Sequence, residues 1–136
     1  MNALRPFAEQ MLDRFGEFLP FGAAMRTNGA VISVGADTGQ ERSPSRDVIA
    51  VLEQGFAQQA EAGELRAAGI CYDARIVPPG QTEKTDAIAM RLQHLAGDTV
   101  DVFLPYKRGT LGGLKFGELF ACVGSLHVFP GETGAT

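Results

Sequence analysis

The chain's 136 residues predict an α+β fold, in which one antiparallel sheet of five to six strands carries two helices in the order α-β-β-α-β-β-β plus a terminal strand. Three observations carry this expectation. Between Ala67 and Tyr106 the residues alternate with a period of two through three successive segments, as strands with one buried and one wetter face do. Between Leu4 and Leu19 apolar residues recur at spacings of three and four, as on one face of a helix. Asn28-Gly29 separates two short β-prone runs and is the dipeptide best suited to a tight hairpin turn.

In the first element Leu4, Phe7, Met11, Leu12, Phe15, Phe18 and Leu19 make an apolar stripe, with Pro6 suited to the first turn and Pro20 closing the helix. A stripe rich in phenylalanine belongs against a sheet. Phe21 to Arg26 and Ala30 to Ala36 follow as a hairpin, whose two-residue loop sets Met25 against Ile32 and Ala23 against Val34. Asp37 to Pro44 reads as a polar loop without catalytic spacing. Ser43-Pro44 or Ser45 caps the second helix, and Asp47 stands near the positive end of its dipole. Val48, Ile49, Val51, Leu52 and Phe56 form that helix's apolar face, and Gly63 stops it.

The next three strands form a meander whose registers follow from matching apolar with apolar positions. This sets Ile76 opposite Ile88, Tyr72 opposite Leu92, Leu92 opposite Val102 and His94 opposite Val100, with a turn at Ala96-Gly97-Asp98. It also sets Asp73 opposite Arg91, with Asp101 diagonal, as an ionic cluster on the polar face. Lys107 to Lys115 reads as a basic, glycine-rich loop and Phe116 to Phe129 as a last strand. Residues 1–129 make a single α+β domain and 130–136 a flexible tail.

Composition narrows the function classes. A content of 45% hydrophobic and 21% charged residues is that of a soluble globular protein, and a net charge of −4 argues against nucleic acid as partner. The two cysteines, Cys71 and Cys122, lie in apolar runs without CxxC spacing, which suggests neither a zinc site nor a disulfide framework. No apolar run has the length of a membrane span, and the charged N-terminus does not read as a signal peptide, so a cytoplasmic location is expected.

Few residues offer chemistry. Cys71 is set on the opposite face from His94 and reads as a small buried hydrophobe rather than a nucleophile. His94 and His127 lack enough neighbouring ligands for a metal, no catalytic residue stands out, and no cofactor is implied. The Lys107–Lys115 segment lacks the GxxxxGK[ST] pattern of a phosphate loop, yet it concentrates positive charge in an acidic chain.

Phe103-Leu104-Pro105-Tyr106-Lys107, followed by Phe116-Gly117-Glu118-Leu119-Phe120-Ala121, resembles the ending of a set of small uncharacterised bacterial proteins. Pro20-Phe21-Gly22-Ala23, Ile70-Cys71-Tyr72-Asp73 and Lys84-Thr85-Asp86-Ala87-Ile88 fit the same likeness. Some proteins of this kind are similar to immunity proteins that neutralise a cognate toxin by binding it. The resemblance therefore implies protein binding and supplies no catalytic residues. The element order is also similar to that of profilin-like and roadblock-like folds, an analogy of topology that leaves function open.

The leading expectation is a non-enzymatic cytoplasmic module that engages another protein through Tyr106, Lys107, Arg108 and Lys115. One alternative is a small-molecule sensor or enzyme with a pocket at Tyr72, Asp73 and Arg91. Another is a homodimeric scaffold paired along an open strand edge.

Overall fold

The computed structural model describes residues 4–15, 18–35, 45–95, 99–108, 113–124, 126 and 128, with Phe15, Ser45 and Arg108 described by their backbone alone. The predicted polar loop at Asp37–Pro44, the turn at Ala96–Asp98, His127 and the tail from Pro130 lie outside the described residues. The architecture is the expected α+β one. Its elements are α1 (Arg5–Phe15), β1 (Phe21–Arg26), β2 (Val31–Val34), α2 (Ser45–Glu61), β3 (Leu65–Ile76), β4 (Thr85–His94), β5 (Thr99–Arg108), β6 (Leu114–Phe116) and β7 (Phe120–Val123). The strands form one antiparallel sheet in the order β2-β1-β3-β4-β5-β6, and β7 also pairs with β5.

The last strand expected from the sequence is thus two short ones. Tyr106 faces Phe116 and Phe103 faces Phe120, so the register slips between residues 117 and 119, and together β6 and β7 make a bulged edge. The basic segment begins and ends in strands. Lys107 and Arg108 end β5 and Lys115 lies in β6, while 109–112 lie outside the described residues.

The helices cover opposite faces. Leu4, just before α1, and Ala8 and Leu12 of α1 pack with Ala23, Cys71, Ile88, Met90, Val102 and Leu104. Val48, Ile49, Leu52, Phe56 and Ala60 of α2 pack on the other face with Ala24, Ala68 and Ile70. Leu126 and Val128 close over this second core, held by a hydrogen bond from Thr99 Oγ1 to the Leu126 carbonyl and one from the Val128 amide to Gln93 Oε1. The central strands are therefore buried on both faces, not wet on one.

All three registers differ from the sequence-based ones, and in the meander two-sided burial is the reason. Matching apolar with apolar has little power where Ala68, Ile70 and Cys71 are all buried. β3 and β4 are three residues away from expectation, so Tyr72 faces Ala89 and Asp73 faces Ile88. β4 and β5 shift by two, which keeps the faces, and Leu92 meets Val100 while Asp101 stands directly opposite Arg91. β1 and β2 shift by one, so that Met25 meets Val31 and Ala24 meets Ile32. Arg26 and Ala30 close that hairpin around Thr27-Asn28-Gly29, with Gly29 at φ 91°. Asn28 Oδ1 accepts from the Ala30 amide at 2.9 Å. This three-residue loop places a glycine where positive φ is required, in place of the two-residue turn that the dipeptide suggests.

Helix ends follow their local chemistry. α1 stops at Phe15, short of the expected Leu19, and Phe18 is drawn into the core and meets Phe21 edge-on. α2 ends at Glu61, and Gly63 stops it as expected, its φ of 76° letting its amide reach the Ala60 carbonyl.

Gly22 and Gly69 set how closely the helices approach. A Cβ on Gly22 would stand 2.6 Å from the Phe56 ring, and one on Gly69 2.8 Å from Leu4 and 2.9 Å from Leu92. Gly22→Ala and Gly69→Ala should each lower stability in urea unfolding by about 1–3 kcal/mol, the usual cost of overpacking. Gly55→Ala, where nothing lies within 4 Å of the new methyl, should instead raise it by roughly 0.5–1 kcal/mol through helix propensity.

Candidate functional site

The sequence suggests a pocket at Tyr72, Asp73 and Arg91, and the structure separates these residues. Tyr72 and Arg91 share the α2 face, where Arg91 Nη1 donates to Glu53 Oε1 of α2 at 2.9 Å and the guanidinium lies 5.1 Å from the Tyr72 ring centroid. Burial pulls the Arg91 pKa down, but hydrogen bonding and charge from Tyr72 and Glu53 outweigh it and hold the pKa above its ordinary value. Its Nε is buried without a partner among the described residues. The cluster fastens α2 to the sheet. Asp73 is on the α1 face, because the three-residue register shift reverses its side, and its carboxylate accepts from the Tyr106 hydroxyl at 2.7 Å.

Cys71 is buried among apolar side chains. Desolvation, aided by the charge of Asp73, pushes its pKa up to about 12, so the thiol stays protonated at neutral pH. His94 falls on the same face as Cys71, contrary to the sequence-based register, since Ala67 faces His94 and Cys71 faces Met90. The two positions still stand four residues apart along the strands, about 13 Å. No group of three or more potential metal ligands occurs among the described residues.

The structure brings three of the four predicted partner-binding residues to one groove. It has a volume of about 250 Å³ and lies where the β3–β4 connection meets the far end of β5 and β6. Pro105 and Tyr106 contribute to one part, Pro78, Gln81 and Thr85 to another, and Lys107, Lys115, Phe116 and Gly117 to the rest. The Tyr106 side chain is mostly buried with its hydroxyl bonded to Asp73, so it supports the groove from the core side. Gly117 donates its amide to the Pro105 carbonyl at 2.7 Å, and a Cβ there would stand 3.3 Å from that proline, so the backbone is drawn tightly against β5. The Arg5 guanidinium sits 5.9 Å from the Phe116 ring centroid. Arg108 pairs with Leu114 in the backbone register.

Lys107 and Lys115 face each other directly across β5 and β6, and both are exposed. Cross-strand partners sit within about 5.5 Å at their β-carbons, so like charges there repel. Among the described residues neither lysine makes an ion pair. Sequence reasoning found the lysines by their charge and missed Pro78, Gln81 and Thr85. Nothing local in the sequence marks those residues: Pro78 and Gln81 reach the site through the β3–β4 connection and Thr85 from the start of β4.

Compared with known protein families, curated proteins and solved structures, the chain matches none. No helix among the described residues is long and apolar enough to cross a membrane.

The burial difference between the cysteines should be measurable. In the native protein a thiol reagent should titrate one group, the exposed Cys122, and two after denaturation. The raised Cys71 pKa means that the folded state holds its proton more tightly than the unfolded one. Its contribution to stability is whole below pH 9 and falls as pH rises towards about 12, at up to ~1.4 kcal/mol per pH unit. Urea titrations of wild type and Cys71→Ala should therefore converge as pH rises through that window.

Proposed function

We propose that this chain is a non-enzymatic module that binds another protein, with the groove at Lys107 and Lys115 as its contact site. Toxin neutralisation of the immunity type, in the cytoplasm, is the most specific form of this reading. The observation that carries it is the cross-strand lysine pair beside an apolar groove, exposed and without ion-pair partners among the described residues. Charge held in this way steers an oppositely charged partner and raises its rate of encounter. The other polar clusters have internal uses, since Arg91 fastens α2 and Asp73 satisfies Tyr106. A groove of about 250 Å³ is also smaller than the roughly 300–1,000 Å³ usual for small-molecule sites, which favours a protein ligand.

A second reading rests on β7. Its Val123 is 93% exposed, and among the described residues the strand pairs only with β5, so its outer edge can pair with a second copy. Sedimentation across a concentration series distinguishes the two, because edge pairing alone gives a dimer that Lys107 and Lys115 substitutions leave intact.

The test of the main reading is capture from a lysate of the source cells, comparing wild type with Lys107→Glu/Lys115→Glu. A partner retained in stoichiometric amount by wild type and lost by a variant that melts no lower is expected. Identical captured sets from the two forms would overturn the groove as the contact site.

A further inference from the structure

Building on the protein-binding reading, we infer that the groove receives an acidic linear segment of the partner, which inserts one apolar side chain between Pro78, Pro105 and Gly117 and sets flanking carboxylates on Lys107 and Lys115. The volume carries the first half. At about 250 Å³ the space suits a single large side chain and falls short of a drug-sized ligand. Its lining includes two prolines and a glycine, Gly117, surfaces that reward an apolar occupant and lose little freedom when it arrives.

The lysines carry the second half. Lysines at directly opposed strand positions repel until an anion stands between them, and their register places both on the groove's margin. The intervening residues Gly109-Thr110-Leu111-Gly112 contain no acid that could neutralise them. An acidic segment supplies the missing charge, and the same two strands that repel without it become its clamp. A basic or purely apolar segment would fill the groove but leave the repulsion in place.

The recognition has a testable signature in which folding and binding move in opposite directions. Lys115→Glu replaces a like-charge pair with an opposite-charge pair, so that its melting temperature should equal or exceed that of wild type while the segment is lost. The binding experiment uses the full chain and three short fluorescent peptides read by anisotropy. One has a leucine between aspartates and glutamates, one has alanine in place of the leucine, and one has lysines in place of the acids. The leucine acidic peptide should bind at least about tenfold more tightly than either of the others, weaken as salt is raised, and shift the backbone amides of Lys107, Lys115 and Gly117. Lys115→Glu should remove its advantage over the other peptides. Gln81→Trp, a change at an exposed position lining the groove, should block it without altering the lysines.

Equal affinities for the three peptides, or no saturable binding by any, overturns the inference. That failure differs from failure of the protein-binding reading, which is judged by capture from the lysate. A captured partner that depends on the lysines while the acidic peptide does not bind would leave the module in place and reject the acidic segment.

Discussion

Phe56 presses on the sheet over Gly22, and Leu4 presses on the opposite face over Gly69. These two close approaches fix the thickness of the molecule, because no other residue type leaves room for the side chain above it. Gly22 pairs with Ile70 across β1 and β3, and Gly69 is the neighbouring residue of β3, so both helices close on the same short length of sheet. Ile70, Cys71, Ile88 and Met90 are fully buried between them. The consequence for function is geometric. With the middle of the sheet sealed on both faces, a site must lie where the helices do not reach, and the ends of β5 and β6 provide such a place.

Polar residues follow from the same sealing. A guanidinium, a phenol and an amide that enter a two-sided core need partners there. Arg91 takes Glu53 from α2, Tyr106 takes Asp73 from β3, and Gln93 receives the Val128 amide at 2.6 Å. Each bond joins elements distant in sequence. Arg91 ties a helix to the sheet, Tyr106 reaches from β5 to β3, and Gln93 holds the segment after β7 over the α2 core. The residues that looked most like a ligand pocket in the sequence are therefore holding the layers together.

How far the sequence could be read follows from this architecture. Two-residue alternation identified β3, β4 and β5, and helical periodicity identified α1 and α2, since both patterns survive whatever covers the sheet. Registers did not follow, because a strand such as β3 with apolar residues on both faces gives no contrast by which to align it. An error of three residues there was enough to place Asp73 beside Arg91 when the fold sends them to opposite faces. The basic segment was legible as charge, and its geometry was not. That Lys107 and Lys115 are cross-strand partners depends on the β5–β6 pairing, and that Pro78 and Gln81 stand beside them depends on the β3–β4 connection. Charge is a property of composition, whereas convergence is a property of the tertiary fold.

The opposed lysines are also where local stability and the rest of the molecule disagree. Other cross-strand neighbours suit one another: Phe103 stacks on Phe120 across β5 and β7 with centroids 5.3 Å apart, and Cys71 meets Met90 in the core of β3 and β4. At Lys107 and Lys115 a single change of sign would turn repulsion into attraction, at exposed positions where substitution disturbs no packing. A fold whose parts otherwise support one another places such exceptions at functional positions, because a contact to a partner offsets what the free chain gives up. If the groove receives an acidic segment, as proposed, the cost of keeping two lysines together would fall on the unbound state alone, and the repulsion would add to the preference for the complex over the free chain.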